Sequence, residues 1–126
     1  MKKPLYNKLS AIAAFTLWFT WTYYVNSSAD NVLISALSQG FISASITLMM
    51  IKLLKVLKPF FKTTSSKIFY PSLIISTMCF LMGFLIHSAI NTSQVIKTII
   101  PAVVVGFIFC IITSIKNIIC EESEYV

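Results

Sequence analysis

The stretch VLISALSQGFISASITLMMIKLLKVLKPFFK, Val32–Lys62, decides the fold. From Val32 to Ile51 it holds about twenty residues without a charge, the length that crosses a hydrocarbon core of roughly 30 Å. Lysines then recur among apolar residues up to Lys62. The sequence therefore predicts a transmembrane helix that runs into a basic amphipathic segment.

A stripe of small and polar residues follows this predicted helix. Residues four apart share a helical face, and two rows with that spacing lie side by side. Helix contacts in a membrane favour such residues, whereas positions that face lipid need neither kind. We therefore predict that the stripe packs against protein and that Phe41 faces lipid. The polar row is Ser35, Gln39, Ser43 and Thr47, and the small row is Ala36, Gly40 and Ala44.

The basic segment has its lysines on one side and its apolar residues on the other at 100° per residue. A helix of this kind lies in the headgroup plane and binds anionic lipid, at about 1 kcal/mol per lysine. The same lysines also fit a second interpretation, the topology signal of a cytoplasmic loop, which needs no lipid site. Pro59 is expected to bend or end the helix. The candidate lipid-headgroup contacts are Lys52, Lys55, Lys58 and Lys62.

Composition excludes a soluble fold. The 126 residues are 57% hydrophobic and 11% charged, against roughly 25% charged in soluble domains. The net charge of +6 comes from lysines at the ends of apolar segments. They lack the patterns of nucleic-acid readers, so anionic membrane lipids are the expected partners and nucleic acid is not. Cys79 and Cys110 fit no metal spacing and are predicted to be packing residues, and no cofactor or metal is expected.

Four spans make residues 1–126 a single polytopic membrane domain. The polar connectors at 26–31 and 91–97 are short, so consecutive spans should be antiparallel neighbours. The predicted fold is an all-α integral membrane protein, a compact four-transmembrane-helix bundle of two antiparallel helical hairpins, with the basic segment between helices 2 and 3. The predicted spans are 9–25, 32–51, 68–89 and 98–117.

Local signals place the ends and contacts of these spans. Asp30 or Asn31 is a natural N-cap for the second span. Pro71 and Pro101 are expected in the first turns of the third and fourth, where a missing N–H costs least. Thr16 and Thr20 of the first span are expected to meet the stripe of the second. The predicted helix-packing residues are Ala36, Gly40, Ala44, Gly83, Ala102 and Gly106.

The lysines predict the topology. Three precede the first span, five lie between the second and third, and one follows the fourth, while the opposite side has only Lys97. The positive-inside rule then puts both termini in the cytoplasm. The expected location is a bacterial inner (plasma) membrane.

The spans carry no acid or lysine in their central parts. Proton-coupled carriers and intramembrane catalysts need such a group. Small multidrug resistance proteins are similar in size and span count but depend on a glutamate in the first helix, where this chain has Thr16, Thr20 and Thr22. GtrA-type proteins, which are associated with lipid-linked sugar transfer, resemble the chain in length and topology alone, so no residue is carried over from them.

The candidate ligand-binding residues are Gln39, Ser43, His87 and Lys97. Gln39 lies about 10 Å inside its helix end, at 1.5 Å per residue. In hydrocarbon its amide needs a partner, either a neighbouring helix or a bound polar group. His87, the sole histidine, is either a helix-end polar residue or a ligand-binding one. Together the four would form a funnel suited to a phosphate or sugar headgroup.

Two functions remain open. The first is a small non-enzymatic multi-pass membrane protein that acts as a subunit, accessory or assembly partner of a membrane complex, in a homo- or hetero-oligomer. The alternative is a carrier or flippase component for a lipid-linked or amphiphilic substrate. Catalysis is not expected, because the sequence shows no nucleophile–base pair or metal cluster.

Overall fold

The computed structural model describes residues 3–124, and that part of the chain is an all-helical bundle. A single 3₁₀ turn, Lys58–Phe60, follows the second helix. The first helix packs mainly on the second and the third mainly on the fourth, and the second also contacts the third and fourth. The helices are α1 (Lys3–Val25), α2 (Val32–Leu57), α3 (Thr64–Ala89) and α4 (Val95–Glu124).

Three of the described helical segments are long and apolar enough to span a membrane: Val32–Phe60, Thr64–Ala89 and Val95–Glu121. These three helices support the prediction that the chain is a membrane protein. Helix α1 is not among the three, because its threonines, tryptophans and tyrosines make it the least apolar of the four helices. Its role as a span therefore stays a prediction.

The basic segment is a continuation of α2 rather than a separate element. Helix α2 runs past the predicted end at Ile51 to Leu57, because no helix-breaking residue occurs before Pro59. The 3₁₀ turn then begins at Lys58, so Pro59 ends the α-helix as predicted. Lys58 pairs with Glu121 of α4, and such a surface pair contributes at most about 1 kcal/mol.

Helices α3 and α4 begin earlier than predicted. Thr63 and Ser66 form a capping box, which starts α3 at Thr64. The expectation that Pro71 and Pro101 lie in first turns is therefore wrong, and both are inside their helices.

The proline in α4 has a structural consequence. Pro101 has no N–H to give to the carbonyl of Lys97, one turn earlier. That carbonyl instead accepts a hydrogen bond from Trp21 Nε1 of α1, at 3.0 Å. The proline thus frees an acceptor that joins α1 to α4.

Helices α1 and α2 meet at Gly40. A Cβ atom at this position would lie 2.8 Å from the ring of Phe15. That ring also packs against the rings of Phe19 and Phe41, which restricts where it can move. Gly40 is therefore a close-approach position between α1 and α2, while Phe41 is 64% exposed on the outside.

Thr16 and Thr20 do not take part in this contact. Both are exposed, and each hydroxyl donates to the carbonyl one turn earlier in α1, at 3.0 and 2.7 Å. The prediction that they meet α2 is wrong, because threonine in a helix can satisfy its hydroxyl on its own backbone.

The other two glycines have different surroundings. A Cβ atom at Gly83 would lie 3.3 Å from Ile99 of α4, whereas one at Gly106 would meet no atom within 4 Å. Gly106 therefore borders open space, although the sequence placed it in a packing row. Ala36 is fully buried, and Ala44 and Ala102 are half-buried.

An apolar cluster closes the end of the bundle near Pro59. It consists of Met50 and Leu54 of α2, Ile75 of α3 and Cys110 of α4. Cys79 packs against it, so both Cys79 and Cys110 are packing residues, as predicted. We call this group the apolar cluster and this end of the molecule the Pro59 end.

The two glycines Gly40 and Gly106 give a matched test of this packing. We expect Gly40→Ala to lower the free energy of unfolding by about 1–3 kcal/mol, the usual cost of overpacking. Gly106→Ala should leave it unchanged or raise it by up to about 1 kcal/mol, since alanine is the better helix former. Unfolding of the purified protein in mixed micelles with increasing dodecyl sulfate measures both. Equal losses in the two variants would contradict the close approach at Gly40.

Candidate functional site

The end of α3 has a backbone geometry that brings two side chains together. Asn91 has φ of 55°, a left-handed conformation that asparagine tolerates better than most residues. The N–H of Asn91 donates to Ser88 O at 3.2 Å and the N–H of Thr92 to His87 O at 2.9 Å. These two bonds define a Schellman motif, which folds the chain back over the last turn of α3. Thr92 is thereby placed beside His87.

A buried chain of hydrogen bonds joins α2, α3 and the connector at this point. His87 Nε2 lies 2.9 Å from Gln39 Oε1, and His87 Nδ1 lies 2.8 Å from Thr92 Oγ1. Thr92 Oγ1 is in turn 2.8 Å from Ser35 Oγ. His87 and Ser35 have no exposed surface, and Gln39 and Thr92 are also buried. We call these four residues the histidine network.

The network has one consistent order of protons for a neutral imidazole. Gln39 Oε1 can only accept, so His87 Nε2 must carry the hydrogen. His87 Nδ1 then accepts from the hydroxyl of Thr92, whose oxygen accepts from Ser35. Both imidazole nitrogens are thus satisfied without any charged partner.

A second group of bonds ties the first connector to α4. Asn26 Nδ2 donates to Thr98 Oγ1 at 2.8 Å and to Thr22 O at 3.0 Å, and Asn26 Oδ1 accepts from Gln94 N at 2.8 Å. Asn26 and Thr98 are almost completely buried. The end of the bundle that holds residues 26–31 and 90–94, which we call the connector end, is therefore cross-linked by side chains.

Asn31 belongs to this cross-linking rather than to a helix cap. It occupies the N-cap position of α2 but makes no side-chain cap bond. Its Nδ2 donates instead to Ile90 O at 2.7 Å and Asn91 O at 2.9 Å. The predicted capping role of its side chain is wrong, because the facing carbonyls at the end of α3 offer it acceptors.

A cavity of about 320 Å³ lies between the four helices. Its lining residues come from 10–18 of α1, 39–50 of α2, 75–83 of α3 and 102–110 of α4. It extends from Gln39 to Met50 along α2, about 16 Å at 1.5 Å per residue. The histidine network adjoins one end of the cavity and the apolar cluster the other.

The cavity wall is apolar with a few neutral polar groups. None of its lining residues within the described chain carries a charge. The hydroxyl of Ser76 is buried and has no hydrogen-bond partner in the described part of the protein. Some lining residues are also exposed on the outside, among them Leu17 of α1 and Val105 and Phe109 of α4. The cavity therefore opens sideways between α1 and α4.

The structure separates the four residues predicted as a ligand funnel. Gln39 and His87 are bonded directly, and Gln39 and Ser43 line the cavity. His87 lies outside the cavity lining, and Lys97 is exposed. Of the lysines assigned to lipid headgroups, Lys52, Lys55 and Lys62 are exposed, while Lys58 is half-buried and paired with Glu121.

The sequence analysis did not predict three residues that belong to the histidine network or to the cavity wall. Ser35 begins the polar row of α2, and that row indicated that Ser35 faces protein. Nothing in the sequence indicated that its hydrogen-bond partner is Thr92. Thr92 follows an asparagine at the end of an apolar run, which is a signature of a helix C-terminus. Ser76 lies one helical turn after Ser72 in α3, and nothing in the sequence distinguishes the two serines.

Neither metal ligands nor relatives identify the site. Residues 3–124 contain no group of three or more His, Cys, Asp or Glu side chains that could hold a metal ion. Comparison with protein-family models, with curated proteins and with solved structures finds no match. The cavity and the histidine network are the features from which a function can be inferred.

The bond between Gln39 and His87 can be measured by a double-mutant cycle. Gln39→Leu and His87→Phe should each lower the free energy of unfolding by about 1–3 kcal/mol, since each leaves a buried group without its partner. The double variant should lose less than the sum, with a coupling of about 1 kcal/mol. The same cycle with Thr20→Val in place of His87→Phe is the control, and a coupling there of equal size would contradict a specific bond.

Proposed function

We propose that this chain is a non-enzymatic multi-pass membrane protein that holds an amphiphilic ligand in the cavity between its helices, as a carrier component does. The observation that carries the proposal is the elongated apolar cavity with a lateral opening between α1 and α4. This is the alternative that the sequence left open. The accessory-subunit role stays a prediction and is an outcome of the experiment below.

The size of the cavity supports a bound molecule. Protein interiors normally leave few voids larger than a water molecule. A space of about 320 Å³ between the helices is therefore large for a protein interior. An apolar cavity of about 150 Å³ already binds benzene, so a larger one is suited to a longer apolar molecule.

The position of the opening supports entry from the bilayer. Helices α1 and α4 have few contacts with each other, and the exposed lining residues Leu17, Val105 and Phe109 lie on these two helices. The connector end is cross-linked by hydrogen bonds and the Pro59 end is filled by the apolar cluster. A lipid-like molecule would therefore pass between α1 and α4.

The proposed topology follows from the same arrangement. We place four spans in two antiparallel hairpins, with the lysine-rich Pro59 end and both termini in the cytoplasm of a bacterial inner membrane. The lysines of α2 then contact anionic headgroups. Oligomerisation with copies of itself or with other membrane helices is compatible with this arrangement.

Thiol labelling tests this topology. In a background without the native cysteines, cysteines at Ser28 and Ser93 should react with an impermeant reagent applied to intact cells, and a cysteine at Ser65 should react only after lysis. All three positions are exposed in the structure. Thr92 is avoided because it belongs to the histidine network. Labelling of the Ser65 variant in intact cells would overturn the proposed orientation.

Occupancy of the cavity can be tested by native mass spectrometry of the protein in mild detergent. Wild type is expected to carry a co-purified lipid-like molecule, and Gly106→Leu should reduce its occupancy several-fold, because the new side chain fills the cavity. Val104→Leu adds bulk at a half-exposed position of α4 outside the lining and should retain the molecule. If wild type instead brings a stoichiometric protein partner and an empty cavity, the accessory-subunit role replaces this proposal.

A further inference from the structure

The histidine network uses only one half of the Gln39 amide. Gln39 Oε1 bonds to His87 Nε2 at 2.9 Å. Gln39 Nε2, which carries two hydrogens, bonds to none of the described residues. Gln39 is 4% exposed and lines the cavity. Because the bond to His87 holds the amide in place, a free donor is fixed at the end of the cavity that adjoins the network.

The nitrogen of this amide is open to the cavity. In residues 3–124, the side-chain polar atoms that are both fully enclosed and unbonded are Thr22 Oγ1 and Ser76 Oγ. Those two hydroxyls have almost no accessible surface, so a ligand atom cannot reach them. Gln39 Nε2 is unbonded but is not enclosed in this way. Since Gln39 lies on the buried stripe of α2, the surface that its nitrogen retains faces the cavity.

Ser43 supplies a second free donor. It follows Gln39 by one turn on the same face of α2, and it also lines the cavity. Its hydroxyl bonds to no described residue and is not enclosed. Thr47, one turn further, differs because its hydroxyl donates to Ser43 O at 2.8 Å. Side chains four residues apart have Cβ atoms about 5–6 Å from each other, so Gln39 and Ser43 can donate to one oxygen.

These two donors restrict the polar group that the cavity accepts. An amide N–H can only donate, so its partner must be an acceptor. A ligand hydroxyl would bring a hydrogen of its own, whereas a carbonyl oxygen has two lone pairs, one for each donor. None of the described lining residues carries a charge, so a carboxylate or phosphate would be desolvated there without a counter-ion. The group that fits is therefore a neutral carbonyl.

We infer that the cavity binds a neutral, single-chain carbonyl compound, such as a fatty ester or ketone, whose oxygen accepts from Gln39 Nε2 and the Ser43 hydroxyl. This inference rests on the proposed function and gives its ligand a chemical class. The volume of about 320 Å³ is near the lower end of ligand pockets, roughly 300–1,000 Å³, which fits one chain. The carbonyl lies next to the histidine network, and the chain extends toward the apolar cluster.

The side-chain amides of the two glutamines in the chain, Gln39 and Gln94, provide the first test by nuclear magnetic resonance. The probes are tridecan-2-one and tridecane, which have the same chain length and differ in one carbonyl oxygen. Each is added to purified full-length protein with isotope-labelled glutamine in maltoside micelles. The ketone should shift the amide protons of Gln39 downfield relative to the alkane. Gln94 is exposed and should respond to neither probe.

Competition against dodecyl bromide measures the two affinities, expressed as mole fractions in the micelle. Bromine quenches tryptophan on contact, and Trp18 lines the cavity, so displacement of the bromide restores fluorescence. Loss of the quenching in Trp18→Phe identifies this reporter.

Wild type should bind the ketone about 25-fold more tightly than the alkane, about fivefold for each of two net hydrogen bonds. Ser43→Ala should lower this preference to about fivefold. Ser45→Ala, at an exposed position of α2 outside the cavity lining, should leave it unchanged. Gln39 itself is kept, because its replacement would break the histidine network.

The outcomes separate this inference from the proposed function. A Gln39 signal that the ketone shifts no more than the alkane does, or a preference for the ketone that is unchanged in Ser43→Ala, would overturn the inference. The cavity proposal would still stand if quenching by dodecyl bromide is saturable in wild type and lost in Gly106→Leu. Quenching that does not saturate in wild type, or that is unchanged in Gly106→Leu, would overturn both.

Discussion

The two nitrogens of His87 are the constraint on which the connector end depends. The residue has no exposed surface, so each nitrogen must find a partner inside the protein, and these partners are Gln39 and Thr92 at 2.9 and 2.8 Å. Gln39 fixes the position of α2 relative to α3, and Thr92 requires the left-handed turn at Asn91. Because Thr92 also meets Ser35, the helix end, the connector and α2 are bonded as a unit. The two ends of the bundle thus differ in kind, one held by hydrogen bonds and the other by apolar packing.

Small residues serve two purposes between these ends. At Gly40 the missing side chain lets the ring of Phe15 approach, and α1 and α2 pack closely. At Gly106 the missing side chain leaves room that no neighbour fills, and that room is part of the cavity. A row of small residues in a membrane helix is therefore evidence for a protein-facing side, but it does not tell whether that side packs or encloses a space. The helices are held apart here because the hydrogen bonds at one end and the apolar cluster at the other fix their separation.

The sequence predicted the parts of the structure that depend on periodicity. The helical class and the buried stripe of α2 at Ala36 and Gly40 both follow from residues spaced by a helical turn. Features that depend on partners distant in sequence were not predictable in this way. The acceptor that Pro101 frees is visible in the chain, but nothing in the sequence near it indicates Trp21 as the donor.

In the candidate site, too, the sequence indicated single residues but not the partners that they contact. Gln39 was identified because an amide in an apolar helix needs a partner, and the sequence grouped it with His87 in one funnel, but it did not predict that the two side chains bond directly. The inclusion of Lys97 followed from the idea of a headgroup funnel, and the structure leaves that lysine exposed. Ser76 could not be distinguished from Ser72, because the difference between them is whether the hydroxyl bonds to the helix's own backbone. That choice depends on local packing, which spacing alone does not determine.

The position of the cavity relative to the histidine network also limits how the ligand of the proposed function could move. The network lies between the cavity and the connectors, so passage to the connector end would require breaking buried hydrogen bonds, at about 1–3 kcal/mol for each group left unsatisfied. Passage between α1 and α4 leaves the histidine network intact, because none of its four residues lies on either helix and these two helices have few contacts with each other. For the ligand of the proposed function, exchange with the surrounding bilayer is therefore the easier route. Transfer of that ligand from one side of the membrane to the other would need the Gln39–His87 bond to open as a separate step.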